Sequence, residues 1–166
     1  MAAPLTPDAK ARLHAFLSGH RLAVLASVGP QGEPQSALIN IAVTPELEIV
    51  FETTSETRKF LNIERDPRVS LVIGWDGQET VQYEGLAAQP DGRRGDMARQ
   101  TFIRTFPSRE NDELWPGNSY FLVTPVWLRF SSYYRPRFSE EYALAPPPPP
   151  PRAGFLTRLK ARLAGG

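Results

Sequence analysis

Val50-Phe-Glu-Thr-Thr-Ser-Glu-Thr-Arg-Lys-Phe60 runs straight into Leu61-Asn-Ile-Glu-Arg-Asp-Pro-Arg-Val-Ser-Leu-Val-Ile73, and the changes of period along this stretch decide the fold. Leu47, Ile49 and Phe51 alternate with Glu48, Val50 and Glu52, the pattern of a half-buried strand. Thr57 to Arg65 reads as a short helix with Phe60, Leu61 and Ile63 facing inward. Asp66-Pro67 stops it, because proline lacks an amide hydrogen and pushes the residue before it out of the helical region. Strand character then resumes from Val69 to Trp75.

Working toward the N-terminus, Leu22 to Val28 and Gln35 to Val43 precede the Leu47 to Thr53 strand. They are separated by Gly29-Pro-Gln-Gly32 and Thr44-Pro-Glu46. Turns this short predict an antiparallel meander. Leu22 to Val28 is almost wholly apolar, which predicts cover on both faces. Ahead of it, Thr6 suits an N-cap, Pro7 the first helical position and Gly19 a C-cap, with Leu13, Phe16 and Leu17 on one stripe. Working toward the C-terminus, Asp76-Gly77 joins the strand at 69–75 to Glu79 to Ala88. Arg93 to Phe106 has Ala98, Phe102 and Phe106 at helical spacing. A polar loop, Glu110 to Asn118, leads to a last long strand, Tyr120 to Ser131. The expectation is a mainly β domain: a six-stranded antiparallel, closed or nearly closed barrel with peripheral α-helices.

The 166 residues include no cysteine and two histidines. Disulfide scaffolds and thiolate zinc sites are excluded, a histidine metal centre has too few ligands, and no metal site is expected. No run approaches the roughly 20 apolar residues of a membrane-spanning helix, and the first residues lack a signal-peptide core, so the expectation is cytoplasmic. The net charge of +1 is a sum of unlike parts. Pro146 to Gly166 carries Arg152, Arg158, Lys160 and Arg162 with no acid, which leaves 15 basic against 18 acidic residues in 1–145. Such a body is a poor electrostatic match for nucleic acid. The division is a domain at 1–145, a polyproline linker at 146–151 and a short basic tail at 152–166. The tail is either disordered or, through Phe155, Leu156, Leu159 and Leu163, an amphipathic contact for a membrane surface or acidic partner.

There is neither a dinucleotide-binding glycine fingerprint nor a Walker phosphate loop. The stretch at 50–60 offers instead the hydroxyls of Thr53, Ser55 and Thr57, helix N-terminal amides, and Arg58 with Lys59, a set able to hold a phosphate monoester. Cations in a first helical turn oppose the helix dipole by about 0.3–1 kcal/mol each, which a bound anion would offset. The alternative is a solvated helix start with ordinary surface charge.

Gly32-x-Pro34-x-Ser36, the strand Ala37 to Val43, Val50-Phe-Glu-Thr53, Thr57-Arg-Lys59, Asp66-Pro-Arg-Val-Ser-Leu-Val-Ile73 and Gly85 fall in the order and spacing of a known family. Over residues 10 to 131, and more weakly to about 138, the chain resembles the pyridoxamine 5'-phosphate oxidase-like, FMN-binding split-barrel family. The resemblance implies a split β-barrel and a homodimer with two flavin sites at its interface, each built from both chains. It implies that Arg58 and Lys59 grip the flavin phosphate with Thr57 beside them, and that Thr53 lies near the ribityl phosphate with Glu52 next to it. Gln35, Ser36, Ala37, Leu38, Ile39 and Asn40 would lie along the isoalloxazine ring, and Thr80 would stand near a glutamine of the oxidases.

Ala37 and Ala42 stand where the oxidases carry arginine and lysine, Ser131 replaces an aromatic residue, and Arg135-Pro-Arg137 only loosely echoes the substrate-gripping motif. That loss of positive charge argues against a substrate as anionic as pyridoxine phosphate. The resulting expectation is an FMN-dependent oxidoreductase passing electrons between a reduced cofactor and an unidentified small-molecule substrate. A non-catalytic protein that binds or senses FMN or another phosphorylated cofactor is the alternative. An F420-dependent reductase is a third reading, to which the acidic balance of the body is unfavourable. No residue is read as general acid or base. Trp115, Trp127 and Arg129 either border the flavin from the partner chain or pack in the dimer interface.

Overall fold

A computed structural model describes residues 2–110 and 117–144; Trp115 and the rest of 111–116, the linker at 146–151 and the tail at 152–166 lie outside them. Helix α1 (Pro7–Ser18) begins at the Thr6 cap, whose hydroxyl accepts from the Ala9 amide. Strands β1 (Leu22–Val28) and β2 (Pro34–Asn40) form the first hairpin, and β3 (Ala42–Val43) and β4 (Ile49–Thr54) the second. Helix α2 (Arg58–Arg65) leads to the hairpin of β5 (Arg68–Ile73) and β6 (Glu79–Ala88). After α3 (Gly92–Thr105) and a 3₁₀ turn at Pro107–Arg109 come β7 (Asn118–Ser132) and β8 (Phe138–Ala143). The sheet order is β2-β1-β5-β6-β7-β4-β3 with β8 also on β7, and every neighbouring pair is antiparallel.

The expected mainly β barrel forms, with eight strands among the described residues rather than six. One expected strand, Gln35 to Val43, divides at Ile41, whose amide donates to the Arg21 carbonyl at 2.9 Å. Before this corner the chain pairs with β1, and after it with β4. The eighth strand, β8, follows Pro136 and is rich in acids. Its alternating Phe138, Glu140 and Tyr142 turn toward the barrel end covered by α1, where Tyr142 is buried.

Inside, Leu25, Phe51, Leu71, Tyr83, Phe121 and Leu128 make one continuous core under Leu13 and Leu17 of α1. Burial of such side chains contributes about 1.5–3 kcal/mol each before entropy is charged against it. Phe16 of α1 lies over the β5–β6 turn, where Gly74 has φ +83°. A Cβ there would come within 2.5 Å of the Phe16 ring and 2.7 Å of the Glu79 carbonyl oxygen, so only glycine fits. Helix α3 packs Ala98 and Phe102 on Ala42, Val50 and Leu122, on the opposite face of β4.

Three expectations of facing need correction. The Leu47 to Glu52 strand, read as half buried, is covered on both faces, with Val50 fully buried under α3. Leu22 to Val28 is covered on one face only. Leu22 and Val24 are 39% and 36% exposed, and with Leu38 and Val72 they form an apolar patch on the outer side of the sheet. In α2, Leu61 is exposed and Asn62 is buried. The helix needs its polar face inward at that point because the end of β1 there carries Ser27, not a hydrocarbon.

Candidate functional site

Where β2 leaves the first hairpin it faces the start of α2 across a cleft of about 310 Å³, lined by Leu25, Ser27, Gln35, Ser36, Ala37, Arg58 and Lys59. Of the residues that the sequence nominated, five meet here: Gln35, Ser36, Ala37, Arg58 and Lys59. Thr53 and Thr57 stand just behind, where their hydroxyls organise the helix start. Thr57 Oγ1 donates to the Thr54 carbonyl at 3.0 Å and accepts the Phe60 amide at 3.4 Å. A hydroxyl has one hydrogen, so the 2.8 Å contact between Thr53 and Thr57 must be donated by Thr53. Thr57 is therefore the N-cap of α2, and this cap presents Arg58 and Lys59 to the cleft.

The other nominated residues stand elsewhere in the chain. Ile39 is buried in the barrel core, while Leu38 and Asn40 lie on the outer face of β2. Glu52 is on the α3 side of β4, where it accepts from Asn118 Nδ2 at 3.1 Å and pairs with Arg109 at 3.4 Å. Thr80 lies on β6, beyond β1 and β5 from β2, opposite Ser131. Trp127 and Arg129 share that outer face, with Arg129 paired to Glu141 at 3.3 Å.

Sequence reasoning missed Ser27, Leu25 and Asn62. The signal for Asn62 was an amide on the inward side of a short amphipathic helix, at the position where periodicity calls for a hydrophobe. Its Nδ2 donates to Ser27 Oγ and to Gln35 Oε1, each at 3.0 Å, and its Oδ1 accepts from Arg65 Nη2 at 3.1 Å. Gln35 Oε1 also accepts Arg58 Nε at 2.9 Å.

Several arginines outside the cleft are held by carboxylates. Arg12, Arg68, Arg94, Arg109 and Arg129 each pair with a carboxylate. Among the described residues, Arg58 and Lys59, which line the cleft, and Arg65, which does not, have no acid within ion-pair distance, a state they share with Arg21, Arg93, Arg104, Arg135 and Arg137. Burial holds the Lys59 ammonium below the ordinary lysine range. Arg65 donates to the Val28 carbonyl at 2.7 Å as well as to Asn62. Neutral acceptors fix the direction of the Arg58 and Arg65 guanidinium groups, and the charge of Arg65 also acts on the carboxylates of Glu33 and Asp66.

Ser27 also lines a second, larger hollow of about 610 Å³ on the outer side of the sheet, with Ala26, Val28, Pro34, Arg68, Ser70, Glu84 and Val126 around it. There Arg68 is held by two hydrogen bonds to buried Asp66, at 2.9 and 2.6 Å.

Known proteins share this architecture. The heme binding protein from Mycobacterium smegmatis superposes with a TM-score of 0.71 at 19% identity, over 94% of this chain and 69% of that one. General stress protein 26 from Bacillus anthracis str. Sterne does so with a TM-score of 0.61 at 20% identity, over 81% of this chain and 98% of that one. At these identities the likeness is one of fold. In sequence, the pyridoxine/pyridoxamine 5'-phosphate oxidase of Bordetella pertussis (strain Tohama I) is 32% identical over 73 residues, 43% of this chain and 35% of its own length. The alignment thus spans about a third of that curated relative. The pattern of the pyridoxamine 5'-phosphate oxidase family matches residues 9–132, from α1 to the end of β7, and the chain belongs to that family.

Proposed function

We propose that the chain is an FMN-binding oxidoreductase whose flavin phosphate sits between β2 and the start of α2. The observation that carries this reading is the presence of Arg58 and Lys59 together on one cleft whose lining includes no carboxylate. Lys59 is partly withdrawn from water with no carboxylate beside it, which costs free energy, and a phosphate monoester would reverse that cost and engage Arg58 through charge-assisted hydrogen bonds of about 1.5–3 kcal/mol each. The donors present fit a phosphate: a guanidinium, an ammonium and the first amides of α2, with the hydroxyl of Ser27 nearby. The bound flavin would supply the electron chemistry, and the chain would supply position and electrostatics.

The outer face carrying Leu22, Val24, Leu38 and Val72 supports a homodimer, since an exposed apolar patch of paired strands is stable in water when a second surface covers it. Leu38 and Asn40, nominated for the flavin ring, and Thr80, nominated for the cofactor site, lie on this face and would reach the cofactor across the interface, whereas Ile39 is buried in the core. The substrate is a small molecule less anionic than pyridoxine phosphate. Ala37 lines the cleft, and Ala42 is buried against α3, where a lysine would have no water.

A non-catalytic FMN-binding or sensing protein is the second reading, favoured by one fact: the cleft-lining residues include no carboxylic acid and no imidazole. Absorbance and mass spectrometry of the purified protein, followed by anaerobic mixing with NADH or NADPH, separate the readings. Bound FMN bleached by a nicotinamide donor is the expected result. Bound FMN that no donor reduces favours the sensing protein, while a haem or F420 spectrum, or failure to bind added FMN, overturns the proposal.

A further inference from the structure

Beside the cleft, and entering it at Gln35, runs a chain of hydrogen bonds whose direction is dictated at both ends. Only an oxygen can face a guanidinium, so Asn62 Oδ1 points to Arg65 and Nδ2 must point the other way, to Ser27 Oγ and Gln35 Oε1. At the other end, Gln35 Nε2 donates to Glu33 Oε1 at 2.8 Å, so Oε1 of Gln35 must face Asn62 Nδ2 and Arg58 Nε. Two neutral amides therefore stand head to tail between a cation, Arg65, and an anion, Glu33. Aligned dipoles of this kind reinforce one another. Glu33 is fixed in turn by the hairpin: its Oε2 accepts the Gln31 amide at 2.9 Å, and its backbone carbonyl accepts the Gly29 amide at 2.7 Å. Backbone and side-chain hydrogen bonds hold its carboxyl below the usual range, so it stays an acceptor at neutral pH.

We propose that Asn62 and Gln35 are positioning residues: an amide relay that aims the Arg58 guanidinium at the cleft through a neutral acceptor and so keeps its full charge for a bound phosphate. The proposal rests on the reading of the cleft as the flavin phosphate site. Its contrast is within the same chain. Arg68, on the neighbouring strand, is aimed by the Asp66 carboxylate, which fixes the guanidinium and neutralises it. Arg58 needs an equally defined direction without that neutralisation. Gln35 gives it one, provided that the Gln35 amide is itself held, and buried Asn62 holds it from behind. Ser27 anchors the same amide to β1, so the relay ties the first hairpin to α2 across the cleft.

The test is a double-mutant cycle on FMN affinity, read by titration of flavin fluorescence. Asn62→Ala and Gln35→Met, each made alone, are expected to weaken FMN binding about tenfold, the size of coupling found between directly bonded residues. Made in an Arg58→Ala background, the same changes are expected to alter affinity less than about twofold, because the group through which they act is gone. Riboflavin, which has no phosphate, is expected to bind wild type and Asn62→Ala alike. A tenfold loss that persists in the Arg58→Ala background, or an equal loss for riboflavin, overturns the relay and makes Asn62 a residue of the fold. If Asn62→Ala does not fold, the Gln35→Met cycle decides, since Gln35 is only partly buried. Unchanged FMN affinity in Arg58→Ala alone overturns the phosphate reading itself, a result distinct from failure of the relay.

Discussion

The hydroxyl of Tyr83 lies 3.1 Å from the backbone carbonyl of Leu47, a residue held at φ +64° in the turn between β3 and β4. The same hydroxyl donates to the Val123 carbonyl at 2.8 Å, so one buried ring on β6 ties that turn to β7. Burial raises the Tyr83 pKa well above its ordinary value, so the group stays a donor throughout the working pH range. Tyr83→Phe leaves these carbonyls without their shared donor and is expected to cost about 1–2 kcal/mol. A lower urea midpoint with an unchanged slope, and unchanged FMN affinity, is the expected record.

Asp66 gives the clearest pH dependence. Hydrogen bonds from Arg68 hold its carboxyl below the usual range, against the opposing effect of burial. A carboxyl depressed in the folded state binds fewer protons there than in the unfolded chain, so its stabilisation is complete above about pH 4 and lost as pH falls through the lowered folded value. Asp66→Asn is expected to cost about 1–3 kcal/mol at pH 7. The variant should also show a flatter acid limb when thermal midpoints are measured from pH 6 down to pH 3.

Leu38 is 60% exposed, with Val24 opposite it on β1 and Val72 beyond on β5. If a second copy covers this patch, Leu38→Arg places a charge in a buried apolar interface. Analytical ultracentrifugation is then expected to find a dimer for the wild type and a monomer for the variant. A monomeric wild type at micromolar concentration would remove the proposed interface.

Arg58→Ala combined with Lys59→Ala is expected to weaken FMN by about 100-fold or more, the loss of two charge-assisted contacts. The pH profile of binding adds an independent reading. Because desolvation lowers the Lys59 pKa, affinity should begin to fall with rising pH before an ordinary exposed lysine would deprotonate. Lys59→Arg should move that fall to higher pH. An affinity flat with pH in the wild type would show that Lys59 does not touch the phosphate.

Local chemistry made most of the fold legible. Thr6, Pro7, Thr57 and Asp66-Pro67 mark helix ends by hydrogen bonds that these residues must make or cannot make, and the helices begin and end there. The alternation from Leu47 to Glu52 fixed which side of β4 faces the barrel, because a strand has only two sides. Ile41 was invisible as a corner since a change of strand partner leaves no mark on a run of strand-forming residues with no glycine or proline in it. The outer patch misled for a related reason: an apolar face looks the same in sequence whether its own chain or another covers it. For the site, Arg58 and Lys59 were legible from their conflict with the helix dipole. Asn62 was not, because its role depends on Ser27 and Gln35, which the hairpin brings to it from 35 and 27 residues away.

The fifteen residues of β7 pair with β6 along most of their length, with β4 near one end and with β8 near the other. During synthesis, β4 and β6 emerge well before β7, and each waits with a bare row of amides and carbonyls. Such edges invite pairing with other nascent chains. Both edges are covered only when β7, which follows α3 in the chain, has been made and pairs with each of them.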